Sequence, residues 1–139
     1  MSVGGETVAA IGKGVLALVG VERGDGEAQA ARLADKVLTY RIFPDPAGKM
    51  NLSLQEVQGR LLAVPQFTLV ADTKKGSRPS FSSGALPEEG ERLFNKFVEF
   101  ASQKTRVETG RFGADMQVAL TNDGPVTLLV FTAGGVLLK

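Results

Sequence analysis

Apolar residues recur in two different rhythms along this chain. Ala30, Leu33, Ala34, Val37 and Leu38 fall three and four apart, with Arg32, Asp35 and Lys36 between them. That spacing predicts an amphipathic helix of about three turns starting at Glu27, with one face packed on a sheet. Leu93, Phe94, Phe97, Val98 and Ala101 repeat the rhythm further on. Pro87 stands where that second helix would begin, and Glu88 and Glu89 suit the positive end of its dipole. The other apolar runs are short and continuous, as strands are. Residues 15–21 predict a central strand buried on both faces. Residues 7–11, 60–69, 106–109, 116–121 and 126–131 predict further strands, and 51–54 a weak one. Arg41-Ile42-Phe43 is short and extended. Gly4-Gly5, Gly12-Lys13-Gly14, residues 44–48, Gln58-Gly59 and Asn122-Asp123-Gly124-Pro125 punctuate them as turns. Residues 134–138 form a tail, read as one more short strand. The sum is an α+β fold, a largely antiparallel, barrel-like sheet with two main helices, in one domain over residues 1–139.

Composition narrows the chemistry more than the architecture. The chain has no cysteine and no histidine. No disulfide and no Cys/His zinc site can form, and no Ser-His-Asp or Cys-His nucleophile pair. An enzyme built from these residues must work with carboxylates, lysines, hydroxyls, backbone amides or groups on its substrate. No metal and no cofactor are expected. A net charge of +1 decides little about nucleic acid, because a protein that grips only an RNA end needs few phosphate contacts. No apolar run reaches the ~20 residues of a membrane span. Met1-Ser2-Val3-Gly4-Gly5-Glu6 has neither the basic start nor the apolar core of a signal peptide. A cytoplasmic protein without a membrane partner is the expectation.

Two segments set polar atoms beside apolar strands. Pro65-Gln66-Phe67-Thr68-Leu69 interrupts the run begun by Leu61-Leu62-Ala63-Val64. Proline removes a backbone donor and is tolerated in a sheet only at an edge or bulge. The segment is either an edge strand that ends or backbone kept open for chemistry. Asn122-Asp123-Gly124-Pro125-Val126-Thr127 is the second. It is either an ordinary turn or a place where backbone approaches something closely. Lys74, Lys75 and Arg78 lie in a polar loop, a solvated face or a phosphate contact. Phe81 and Met116 suit either the core or a stacked base.

Together these segments resemble the D-aminoacyl-tRNA deacylase family, whose signatures are Ser-Gln-Phe-Thr-Leu and Asn-x-Gly-Pro-x-Thr. Arg41-Ile42-Phe43, Gly48-Lys49-Met50-Asn51-Leu52, Arg78-Pro79-Ser80-Phe81 and Thr109-Gly110-Arg111-Phe112-Gly113-Ala114-Asp115-Met116 extend the resemblance over residues 3–129. It implies a homodimer that hydrolyses the ester between an amino acid and the 3′ end of tRNA. By that likeness Gln66, Phe67 and Thr68 line the cleavage site. The backbone N–H groups of Phe67 and Thr68 would hold the oxyanion. Gly124 and Pro125, joined by a cis bond, would reach into the other subunit and screen the substrate's chirality. Pro65, Asn122, Thr127, Phe81 and Met116 would support the site, and Lys74, Lys75 and Arg78 would meet tRNA phosphates. Steric screening sets no pocket for any one D-side chain, so glycyl-tRNA is a second expected substrate.

Two features depart from the family pattern. The family opens with a strand carrying Gln-Arg-Val ahead of the point where this chain starts, so a first strand is expected to be missing. The tail 135–139 would then cover part of the gap. Pro65 also replaces the signature serine, as in a sister group whose motif reads Pro-Gln-Ala-Thr-Leu and which acts on mischarged L-alanyl-tRNA. A deacylase for L-alanyl-tRNA and a non-catalytic nucleic-acid-binding relative are the alternatives.

Overall fold

The computed structural model describes residues 1–133 and 136–138, the last three and Ala133 as backbone only. The chain runs β1 (Ser2–Val3), β2 (Glu6–Thr7), β3 (Gly14–Val19), α1 (Glu27–Thr39), β4 (Phe43–Pro44), β5 (Met50–Leu52) and β6 (Arg60–Pro65). A 3-10 turn over Phe67–Val70 follows, then α2 (Pro87–Ser102), β7 (Val107–Thr109), β8 (Met116–Gln117), β9 (Phe131–Ala133) and β10 (Val136–Leu138). Both helices begin where the apolar rhythm places them. Pro87 is at the first turn of α2, where its missing N–H leaves no intrahelical bond unmade.

The central sheet corrects the antiparallel expectation. Its order is β3-β6-β7 and both pairings are parallel, Leu16 opposite Leu62 and Leu61 opposite Val107. Parallel neighbours need a crossover, and α1 and α2 supply one each. Antiparallel pairs surround this sheet: β1 with β2 and β8, β4 with β5, and β9 with β10. No sheet closes into a barrel among the described residues.

β6 carries the core. Leu61 and Ala63 are buried under the helices with Ala34, Leu38, Phe94, Phe97 and Ala101. Leu62 and Val64 are buried on the other face with Ala9, against Ile11, Leu16 and Met116. A strand covered on both sides reads as an unbroken apolar run, which is why Leu61-Leu62-Ala63-Val64 shows no alternation. Residues 15–21 have the same look, yet β3 lies at the sheet's edge and is mostly half-buried, with Leu18 46% exposed. The central position belongs to β6 instead.

Other strand expectations shrink or fail, that over 7–11 to Thr7 alone, in β2. The strand foreseen over 60–69 stops at Pro65, and the chain turns into the 3-10 segment. Of 116–121 only Met116–Gln117 is strand, and 126–130 is not strand at all. Apolar side chains alone do not make a strand, since its backbone groups need a ladder partner. The tail contributes Val136–Leu138, paired with Phe131–Ala133. Gly135 and Lys139, the rest of the segment expected to cover a gap, lie outside the described residues, as does Gly134.

Candidate functional site

The first segment sits where β6 ends. Pro65 closes the strand opposite Val19, and the Gln66 N–H donates to the Val19 carbonyl at 2.8 Å. Gln66 leads into the 3-10 turn, where Leu69 N–H bonds the Gln66 carbonyl at 3.2 Å and Ala71 N–H the Thr68 carbonyl at 3.2 Å. The N–H groups of Phe67 and Thr68 open this turn and have no hydrogen-bond acceptor among the described residues. The Gln66 side-chain amide donates to the Thr68 hydroxyl. A proline that ends the ladder thus leaves two donors side by side at the surface, beside a side chain that locks the threonine.

Gly20 lets β3 come close to this turn. A Cβ there would stand 3.2 Å from the Gln66 carbonyl oxygen and equally close to Leu69 and Val70. Nothing in the sequence rhythm marked Gly20, because a glycine inside an apolar run looks like any other small residue.

Phe67 is 65% exposed and meets Phe81 edge to face, with ring centroids 5.0 Å apart. Phe81 belongs to a loop that folds back on itself: Asp72 and Ser80 exchange backbone bonds of 2.7 and 2.9 Å. The Ser83 hydroxyl donates to the Val70 carbonyl at 2.8 Å, and Arg23 Nε to the Gly84 carbonyl at 3.2 Å. A cleft of about 330 Å3 lies between Glu22, Leu69, Asp72, Lys74 and Ser83. Lys74, Lys75 and Arg78 are exposed on the same loop. Met116 is placed differently: it is in β8, opposite Val3, and packs against the cluster of Ala9, Leu62 and Val64.

The second segment is a clamped loop. Asn122 Oδ1 accepts the Val126 N–H at 2.8 Å, and Asn122 Nδ2 donates to the Thr127 hydroxyl at 2.9 Å. This explains the spacing of Asn122 and Thr127, whose side chains close the loop around Gly124-Pro125. That peptide bond is cis, and Gly124 has φ +140°. No hydrogen bond joins this loop to the Gln66–Thr68 turn among the described residues. Leu120, Leu128 and Leu129 flank it with half or more of their surface exposed.

The Arg41 and Asn51 motifs prove to be one unit. Arg41 Nη1 donates to Asn51 Oδ1 at 3.2 Å, and Asp45 Oδ1 accepts from the Ala47 and Lys49 N–H groups at 2.9 Å each. They brace the β4–β5 turn.

Perturbed titration lies on the outer face of α2. A hydrogen bond from Arg92 holds the Glu89 carboxyl below its ordinary value and raises the arginine in turn. Lys96 is raised by its hydrogen bond to Glu99. Glu27 of α1 joins both cations at 3.5 Å. These pairs are solvent-exposed and stitch the helices weakly. The Gln66–Thr68 turn carries no ionisable side chain, so what it offers chemically is donors.

A family model described as D-Tyr-tRNA(Tyr) deacylase matches residues 1–131. A D-aminoacyl-tRNA deacylase of Marinomonas sp. (strain MWYL1) is 61% identical over 129 residues, covering 92% of this chain and 90% of that protein. One from Methylococcus capsulatus (strain ATCC 33009 / NCIMB 11132 / Bath) is 59% identical over 129 residues, covering 92% and 84%. Among solved structures, a c-Myc DNA Unwinding Element Binding Protein superposes with a TM-score of 0.89 at 37% identity, over 95% of this chain and 91% of that one.

Proposed function

The chain belongs to the D-aminoacyl-tRNA deacylase family, and from that membership we propose how it works. It is a hydrolase of the ester bond of D-aminoacyl-tRNA. Water attacks the ester carbonyl carbon, the carbonyl oxygen becomes an oxyanion, and the bond to the terminal ribose breaks. The products are the free amino acid and tRNA. The observation that carries this reading is the pair of unengaged N–H groups on Phe67 and Thr68. Donors fixed before the reaction stabilise an oxyanion without reorganising. The chain has no histidine to act as base, so the ribose 2′-OH of the substrate assists the water. Thr68, held by Gln66, positions rather than attacks. Phe67 and Phe81 offer an aromatic surface to the terminal adenine, and Lys74, Lys75 and Arg78 meet phosphates; Met116, packed against Ala9, Leu62 and Val64, takes no part in that surface.

The active form is a homodimer. The clamped Gly124-Pro125 loop makes no bond to its own Gln66–Thr68 turn and is flanked by exposed leucines, as fits a loop that inserts into a second copy. There its main chain rejects an L-side chain and admits hydrogen, so glycyl-tRNA is also cleaved.

Ester loss from D-tyrosyl-, glycyl- and L-alanyl-tRNA tests this. Cleavage of the first two is expected. Cleavage of the L-alanyl ester instead would assign the chain to the alternative that Pro65 suggests. A folded dimer that cleaves none would be a non-catalytic relative. Thr68→Ala is expected to slow turnover only about fivefold to tenfold, the scale of one neutral hydrogen bond. A variant slower by several orders of magnitude in single-turnover kinetics would make the hydroxyl the nucleophile.

A further inference from the structure

β6 begins at a second, strongly basic cleft. Its volume is about 430 Å3, and Arg60, Lys104, Arg106, Gln55, Gln58 and Thr105 line it. No carboxylate contributes to that lining. Lys104 has an outside partner in Asp35 at 3.5 Å. Arg60 and Arg106 make no ion pair among the described residues.

The two arginines are neighbours by register. Leu61 lies opposite Val107 on parallel strands, and the Leu61 N–H donates to the Arg106 carbonyl at 2.9 Å. Arg60 and Arg106 therefore enter adjacent strands side by side, at a spacing of about 4.8 Å. Like charges set next to each other across a sheet repel and destabilise it. An anion held between them removes that penalty. The frame around them is tied down: Thr105 Oγ1 donates to the Gly59 carbonyl at 3.0 Å, and Gly59 N–H to the Leu54 carbonyl at 3.1 Å. Gln58 holds a φ of +53°, unusual for a residue with a side chain. Two free guanidinium groups, an ammonium and two side-chain amides supply only donors and amide dipoles. Guanidinium forks suit phosphate oxygens.

We propose that this cleft is a phosphate-binding site for the backbone of the RNA substrate. The proposal rests on the deacylase reading above. Its place is the opposite end of β6 from the Gln66 turn. Arg60 in the cleft lining and Gln66 are six positions apart along the chain, about 20 Å. That line runs through a strand covered on both faces, so the RNA passes around the domain surface, a path longer than about six nucleotide steps of about 3.4 Å each. The cleft thus grips the body of the RNA while the turn at the other end of the strand holds the ester.

The test is an Arg60→Ala/Arg106→Ala double variant of the full chain. Binding of uncharged tRNA is measured over a salt series, so the readout does not depend on deacylation. Affinity should fall about tenfold, and the slope of log affinity against log salt should shrink by roughly 1.5, two phosphate contacts' worth. The KM for D-aminoacyl-tRNA should rise while kcat stays constant, and Arg60→Lys/Arg106→Lys should keep most of the slope. Wild-type affinity and slope in the alanine variant would overturn the proposal, whether or not the chain deacylates. Inorganic tripolyphosphate is the second probe. Competition with tRNA for the wild-type cleft supports the proposal. Tripolyphosphate binding that needs both arginines, beside tRNA binding that does not, would overturn the RNA assignment in favour of a small polyphosphate. A wild-type chain that binds tRNA as expected but cleaves no ester would sink the deacylase reading and leave the cleft standing.

Discussion

Phe97→Ala is expected to remove about 3–5 kcal/mol of unfolding free energy. Phe97 is 1% exposed and is the largest of the fully buried side chains. It belongs to the cluster that joins α1, α2 and the helix-facing side of β6. Truncation loses the transfer energy of the ring and leaves a cavity that packed neighbours fill only in part. A domain of ordinary stability holds about 5–15 kcal/mol in all, so the loss is a large share. Urea unfolding checks it through the midpoint at constant slope. A drop below about 1 kcal/mol would mean that the helices rest on the sheet less tightly than the burial indicates. The consequence reaches the site, because Pro65 and Gln66 are placed by the strand that this cluster supports.

Phe97 was visible in the sequence because helix periodicity is local: residues three and four apart share a face whatever they pack on. Strand roles are not local. Val15-Leu16-Ala17-Leu18 and Leu61-Leu62-Ala63-Val64 look alike, yet one is an edge and the other the centre. Nothing within either run says which partners flank it, or that both pairings are parallel. Residues 126–131 make the same point in reverse, an apolar run that stays irregular through residue 130. The site was half legible. Pro65 stood out as an interruption, yet the strand was expected to run on to Leu69, and the 3-10 turn that frees the Phe67 and Thr68 donors depends on Val19 and Gly20, far off in the chain. Arg60 and Arg106 meet only because β6 and β7 pair, so the basic cleft had no sequence signal at all.

Gly124→Ala should abolish the loop's geometry while leaving the fold intact. Gly124 has φ +140°, a region that residues with a Cβ rarely adopt. An added Cβ would also stand 2.8 Å from Val126 Cγ2, and the Val126 N–H is one of the two anchors that Asn122 holds. The alanine must rotate the backbone, and the rotation pulls on that anchor. A displacement of about 1 Å in a positioning element costs on the order of a hundredfold in rate. The loop's proposed task is to exclude L-side chains from a second subunit's site, so the ratio of D- to L-aminoacyl-tRNA hydrolysis should fall by about two orders of magnitude. Far-UV circular dichroism should not change, since neither Asn122 nor Thr127 lies in a strand. Asn122→Ala removes the clamp without touching Gly124, and a similar but smaller loss of selectivity is expected from it. A Gly124→Ala dimer with wild-type selectivity would remove the loop from the site and leave chirality to be read by the Gln66–Thr68 turn itself.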